Sequence, residues 1–214
     1  ESLAPLKILA KRKLHRTHQP HHVAFSPDGS KIAVGFIDST EVNVLSGKDL
    51  SYLFSPNTSG AKDGNFKCVT WSADGRFLYA GKGHGGPNII RKWSDAGKGR
   101  YRDLRASKYG INHLLPSKDG GIIFASNAPD FGVFGSDDKR RIYQSSPNAD
   151  FRENFKGFLI SKDGTTLRFS YEISGKSPAQ FSIANRLLQP KTLQDPTVGL
   201  QKPIMYDISL KIAD

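Results

Sequence analysis

Apolar residues recur along the chain in short runs of four or five, and four of these runs lead into the same polar turn. The segments read His22-Val-Ala-Phe-Ser-Pro-Asp-Gly29, Cys68-Val-Thr-Trp-Ser-Ala-Asp-Gly75, His113-Leu-Leu-Pro-Ser-Lys-Asp-Gly120 and Gly157-Phe-Leu-Ile-Ser-Lys-Asp-Gly164. Their glycines are spaced 46, 45 and 44 residues apart. An Asp-Gly pair between apolar runs predicts a tight hairpin, because glycine, and less readily aspartate, takes the positive φ such turns require. A second strand follows each turn: Lys31 to Ile37, Phe77 to Gly81, Ile122 to Ser126 and Thr166 to Tyr171. These are near-continuously apolar or aromatic, as strands buried on both faces are. Third strands are expected at Glu41 to Ser46, Asn88 to Ser94, Phe131 to Ser136 and Phe181 to Leu187. More polar fourth strands are expected at Asp49 to Ser55, Arg100 to Ser107 and Arg141 to Ser146. The apolar stretch Ile183 to Leu188 can be read as helix, but its position in the repeat favours strand.

Four antiparallel strands repeating about every 45 residues predict an all-β fold built from β-propeller blades. Blade boundaries fall at 20–65, 66–110, 111–154 and 155–199. Residues 1–19 then form the outer strand of a preceding or shared blade, and 200–214 a tail or part of a further blade. The segments resemble degenerate WD40 repeats: Phe25-Ser-Pro-Asp-Gly29 matches the first hairpin of that family, and Ile89-Ile-Arg-Lys-Trp-Ser-Asp95 lies where the family places its Trp-Asp strand. Trp93-Ser94, Leu45-Ser46 and Gly135-Ser136 replace the Trp-Asp pair, and no Gly-His pair starts a repeat. The resemblance therefore implies the blade but not the Asp-His hydrogen-bond network of family members. A second resemblance, over residues 165–214, is to the propeller regions of bacterial multidomain proteins that carry a caspase-like peptidase domain. It implies a regulatory propeller within a longer chain. Rings of this type close with roughly seven blades. Four repeats leave three readings: a fragment of a larger propeller, which is favoured, half of a ring completed by another copy, or a small ring whose termini share a fifth blade.

The chain has 214 residues, 37% of them hydrophobic, enough for a core, and no apolar run long enough to span a bilayer as a helix. The expected compartment is the cytoplasm. The single Cys68 excludes an internal disulfide framework. Asn57-Thr58-Ser59 is a glycosylation sequon only if the chain is exported. Net charge is +11, and two stretches carry a net nine of it once Glu1 is set against the first and Asp95 and Asp103 against the second. One holds Lys7, Lys11, Arg12, Lys13 and Arg16. The other holds Arg91, Lys92 and Lys98 with Arg100, Arg102, Arg105 and Lys108. Such basic strips suit nucleic acid, another polyanion or an acidic protein surface, or serve as solvated edge protection.

Catalytic motifs fit poorly. Gly81-Lys-Gly83-His-Gly-Gly86 has dinucleotide-loop spacing but leads into Pro87 and a strand, where the motif needs a helix. Ser59-Gly-Ala-Lys62 lies in a glycine-rich connection, and the acids at Asp28, Asp74, Asp119 and Asp163 are accounted for by turn geometry. His15, His18, His21 and His22 are spaced as metal ligands can be, with His18 and His22 foremost, but stand among lysine and arginine. No catalytic residue, metal site or cofactor is expected. The expectation is a non-catalytic module for protein-protein interaction, or for self-association, using loops around Asp38, Lys82, His84, Asn127 and Asp130. The alternatives are a polyanion-binding propeller and a propeller enzyme with a site the sequence does not reveal.

Overall fold

The recurring serine and aspartate of the turns have complementary tasks in the computed structural model, which describes residues 10–14, 18–61, 63–85, 88–127, 130–145, 159–170, 178–183, 187–190 and 200–201. In the first turn Gly29, at φ 70°, donates its N–H to Ser26 O at 2.8 Å. Ser26 Oγ donates to Asp28 Oδ1 at 2.5 Å and accepts from Lys31 N at 2.9 Å. The second turn repeats this through Ser72, Asp74, Gly75 and Phe77, and the fourth through Ser161, Asp163, Gly164 and Thr166. Glycine alone takes the positive φ. Aspartate contributes as an acceptor instead, tying down the first backbone N–H beyond the glycine.

The hairpins assemble into four antiparallel sheets. The first holds β1 (Pro20–Phe25), β2 (Lys31–Phe36), β3 (Val42–Ser46) and β4 (Tyr52–Phe54). The second holds β5 (Phe66–Trp71), β6 (Leu78–Lys82), β7 (Asn88–Trp93) and β8 (Tyr101–Ser107). The third holds β9 (Ile111–Pro116), β10 (Ile122–Ser126), β11 (Asp130–Phe134) and β12 (Arg140–Ser145). The fourth holds β13 (Leu159–Ser161), β14 (Thr166–Ser170), β15 (Pro178–Ser182) and β16 (Leu187–Pro190), and β17 (Leu200–Gln201) adds to the free edge of β13. Strand order follows chain order in each of the first three sheets, the blade topology expected from the repeat. In the fourth repeat the expected strand from Phe181 to Leu187 is instead two strands, β15 and β16. Phe181 packs inward at 1% exposure, and the chain turns at Ile183, whose N–H donates to Thr165 O at 2.7 Å. Of residues 1–19, the described ones lie outside the strands, and Leu14 packs on the first blade.

Blades stack face to face through shared apolar layers. Ala33, Val42 and Val44 meet Phe66, Trp71, Leu78 and Trp93 between the first and second. Cys68, Tyr79 and Ile90 meet Ile111, Phe124 and Phe134 between the second and third. Phe131 meets Phe181 edge-on between the third and fourth, ring centroids 4.9 Å apart, a geometry worth about 0.5–1.5 kcal/mol beyond burial. Strands β6 and β10 are buried throughout, whereas β4 and much of β8 are exposed. The first strands β1, β5 and β9 lie side by side, and each occupies the end of its sheet. They form the inner edge of the blade stack. Among the described residues no strand pairs the first sheet with the fourth, and no helix is long and apolar enough to cross a membrane.

Candidate interaction face

Because each blade is an up-and-down meander, its connections fall on two ends. The Ser-x-Asp-Gly turns and the links from third to fourth strand lie at one end. The links from second to third strand, and from each blade to the next, lie at the other. This second end carries the loops expected to recognise a partner, and hydrogen bonds hold it in one shape. Ile37 N donates to Gln19 O at 3.0 Å, Phe66 N to Ser39 O at 3.0 Å, and Asn127 N to Gly110 O at 2.7 Å. Asn65, 1% exposed, spans two connections: its amide donates to Ile37 O, and its Oδ1 accepts from Gly83 N at 3.1 Å. Gly83 and Gly110 are required by close approach. A Cβ on Gly110 would stand 1.7 Å from Gly83 O, and one on Gly83 would stand 2.3 Å from Asn65 Oδ1.

The five expected face residues divide. Asp38, His84 and Asn127 are exposed on the loops. Asp38 Oδ1 accepts from Gln19 N at 2.9 Å, and His18 stands 3.8 Å from Asp38 and 3.9 Å from Glu41. Lys82 and Asp130 are not loop residues. Lys82 ends β6 at 6% exposure and donates to Gly85 O. Asp130 begins β11 at 2% exposure, accepting from Ser126 Oγ, from Ser107 Oγ at 2.9 Å and from Tyr143 OH at 2.7 Å. The Asp130 carboxylate thus joins three strands and two blades, in place of the Asp-His network that the sequence lacks. Its counterpart at the start of β7, Asn88, donates to Lys108 O at 3.2 Å, while its buried Oδ1 has no protein partner.

The histidines diverge. His18 faces Asp38, His21 Nδ1 lies 3.3 Å from Lys67 O, and His22 Nδ1 accepts from Val69 N at 3.4 Å. His15 lies outside the described residues, as do Lys7 and Arg16 of the first basic strip; Lys11, Arg12 and Lys13 are exposed. The second strip is smaller than its sequence suggests. Arg91, 1% exposed, forms a two-pronged pair with Asp103 at 2.7 and 2.8 Å, donates to Ser59 O and stacks 3.8 Å from the Tyr101 ring centroid. Lys92 pairs with Asp138 at 2.6 Å, and Arg102 reaches the same carboxylate at 3.3 Å. Arg100, Arg105 and Lys108 are exposed, but strand alternation sends Arg102 and Arg105 to opposite sides of β8.

In each of the first three blades the first strand carries a bulge at the same place, between Pro20 and His22, Phe66 and Cys68, and Ile111 and His113. The extra residues are His21, Lys67 and Asn112. Lys67 Nζ donates to Asn112 Oδ1, and burial, chiefly, lowers the pKa of both Lys67 and His21. The available signal was positional: each residue directly precedes the first residue of its repeat segment.

Compared with known proteins, the chain matches no family model and no curated protein. Solved structures do share its architecture. The similar chains include hydrazine synthase of Kuenenia stuttgartiensis, at 15% identity and TM-score 0.66, with 86% of this chain and 53% of that one covered. The RRP9 WD40 repeats match at 12% identity and TM-score 0.64, covering 83% and 52%. The C-terminal WD40 domain of Sif2 matches at 16% and 0.57, covering 80% and 48%. At these identities the likeness is one of fold: the chain is a set of WD40-like propeller blades, spanning about half the length of each of these structures.

Proposed function

We propose that the chain is a non-catalytic WD40-like interaction module, part of a larger propeller protein, that recognises a protein or peptide with the loop face bearing Asp38, His84 and Asn127. The observation that carries this reading is preorganisation. Asn65, Gly83 and Gly110 lock the connections of three blades together, so exposed polar groups are displayed with little ordering cost on binding. The polyanion reading is weaker because Arg91, Lys92 and Arg102 are already paired with aspartates, leaving the strip fewer open charges.

Panning a displayed peptide library against the chain tests this. Recovered peptides are expected to bind at least ~10-fold more weakly when His84→Glu and Asn127→Arg are combined, the loss typical of a central contact. Lys48→Glu, on the opposite end, is expected to leave them unchanged. Failure to recover specific peptides, or binding governed only by Arg105 and Lys108 with a steep salt dependence, would overturn it.

A further inference from the structure

The bulged residues converge on chemistry that the loop face alone does not supply. A bulge redirects a side chain that would otherwise alternate into the space between blades. Here the same device operates at three successive inner strands, one repeat apart, at the loop-face end of the inner edge. It brings an imidazole, an ammonium and a carboxamide together. Lys67 carries the charge. Its stem runs along Gly83, where a Cβ would stand 2.9 Å from Lys67 Cδ, so the side chain has a defined track. Its ammonium has three donors, and its one acceptor among the described residues is the neutral Asn112 Oδ1. Among the described residues no carboxylate lies within 4.0 Å of it, although Arg91, Lys92, Arg76 and Arg141 each have one. A half-buried cation lacking a counterion is costly, and an incoming anion relieves that cost.

We propose that Lys67 and Asn112, with His21 beside them, form a carboxylate-binding subsite at the loop-face end of the inner edge, taking an acidic side chain or the C-terminal carboxylate of a peptide bound by the loop face. The proposal rests on the interaction reading above and adds the chemistry of the partner. A carboxylate suits the geometry because one ammonium beside a carboxamide offers a compact donor set for a single small anion. A nucleic-acid backbone would need cations spaced along a track, and the exposed arginines of the blade strands, Arg102 and Arg105 on β8 and Arg140 and Arg141 on β12, lie on outer strands away from Lys67. In the fourth repeat the matching sequence position is Lys156, outside the described residues.

The same peptide selection separates the two ideas. Binders from the wild-type chain are expected to share an acidic residue or a free C-terminal carboxylate, and amidated versions distinguish those sources. Lys67→Met keeps the stem and removes the charge. Asn112→Asp places a carboxylate beside Lys67, filling the subsite from within. Each is expected to weaken acidic peptides roughly 10- to 100-fold while sparing variants of those peptides with Gln in place of the acid. If Lys67 merely fastens the second blade to the third, both substitutions change the melting temperature and leave acid preference intact, which overturns the proposal. Peptides recovered on the loop face without acid preference overturn the subsite alone. Absence of any recovered peptide overturns both. Loss of oligothymidylate binding in Lys67→Met, uncompeted by acidic peptide, assigns the cation to a polyanion and also overturns the subsite.

Discussion

At the residue scale, burial determines which groups are chemically available. Cys68 is 2% exposed, lies 3.6–3.7 Å from the carbonyls of Ile111 and Gly81, and has its thiol pushed up to about 12 mainly by burial. It is expected to resist an aromatic disulfide reagent at pH 8 while folded and to react fully in denaturant; rapid native labelling would contradict this packing. His22 is lowered from 6.5 to about 4, first by burial and then by the neighbouring His21. The unfolded chain therefore binds a proton that the folded one refuses, so stability declines as pH falls from about 6.5 to about 4. Below that range the turn carboxylates Asp49, Asp74 and Asp163, held at about 2 by hydrogen bonds within their own turns, lose their contribution on protonation. Melting temperature against pH is expected to show both limbs, with His22→Gln flattening the upper one. Asp49 was expected to begin a strand, whereas Asp74 and Asp163 were legible in sequence as turn residues because their partners are two residues away. The state of His22 was not, because Val69 lies 47 residues on.

At the element scale, the pairing of β7 with β8 shows how a strand can bury its charges. Arg91 and Lys92 sit in a strand whose other side chains are mostly apolar, and both are neutralised across the sheet or between blades. Arg91→Met would strand Asp103 opposite a methyl group and release Ser59 O. Because Asp103 is 34% exposed, the cost is set below the ~3–5 kcal/mol of a fully buried pair, at about 2–3 kcal/mol, read from urea denaturation. A loss under about 0.5 kcal/mol would show the clamp to be incidental. The sequence placed β7 correctly from its apolar frame. It counted the two cations as open charge because periodicity reports which face a residue occupies and not what waits there. The division of the run after Phe181 into β15 and β16 was equally hidden, since no Asp-Gly pair marks the break in that apolar stretch.

At the scale of the whole molecule, stability resides in the contacts between blades. The apolar layers linking first to second, second to third, and third to fourth sheets make each interior blade dependent on two neighbours. Amide exchange is expected to be slowest in β6, β7 and β10, whose side chains are buried, and fastest in the outer strand β4. Equal protection of β4 and β6 would mean that an additional surface covers the outer edge. Cooperation between blades also explains the shape of the candidate face. Its loops come from different repeats, and their relative positions follow from how the sheets stack.

The sequence by itself determined the period of the repeat, the four hairpins, the order of strands and which of them are buried. Those features arise from interactions a few residues apart, between a serine, an aspartate and a glycine or along one alternating strand, and local spacing encodes them directly. Only the tertiary structure decided which cations are spent in ion pairs, that Asp130 and Lys82 are interior residues, and that bulges gather His21, Lys67 and Asn112 at one place. The ion pair of Lys92 and the gathering of the bulged residues depend on partners in a neighbouring blade, 45 or 46 residues away along the chain, and the burial of Asp130 and Lys82 depends on the strands and loops packed around them. The stacking of sheets that brings most of them together has no local signature to read.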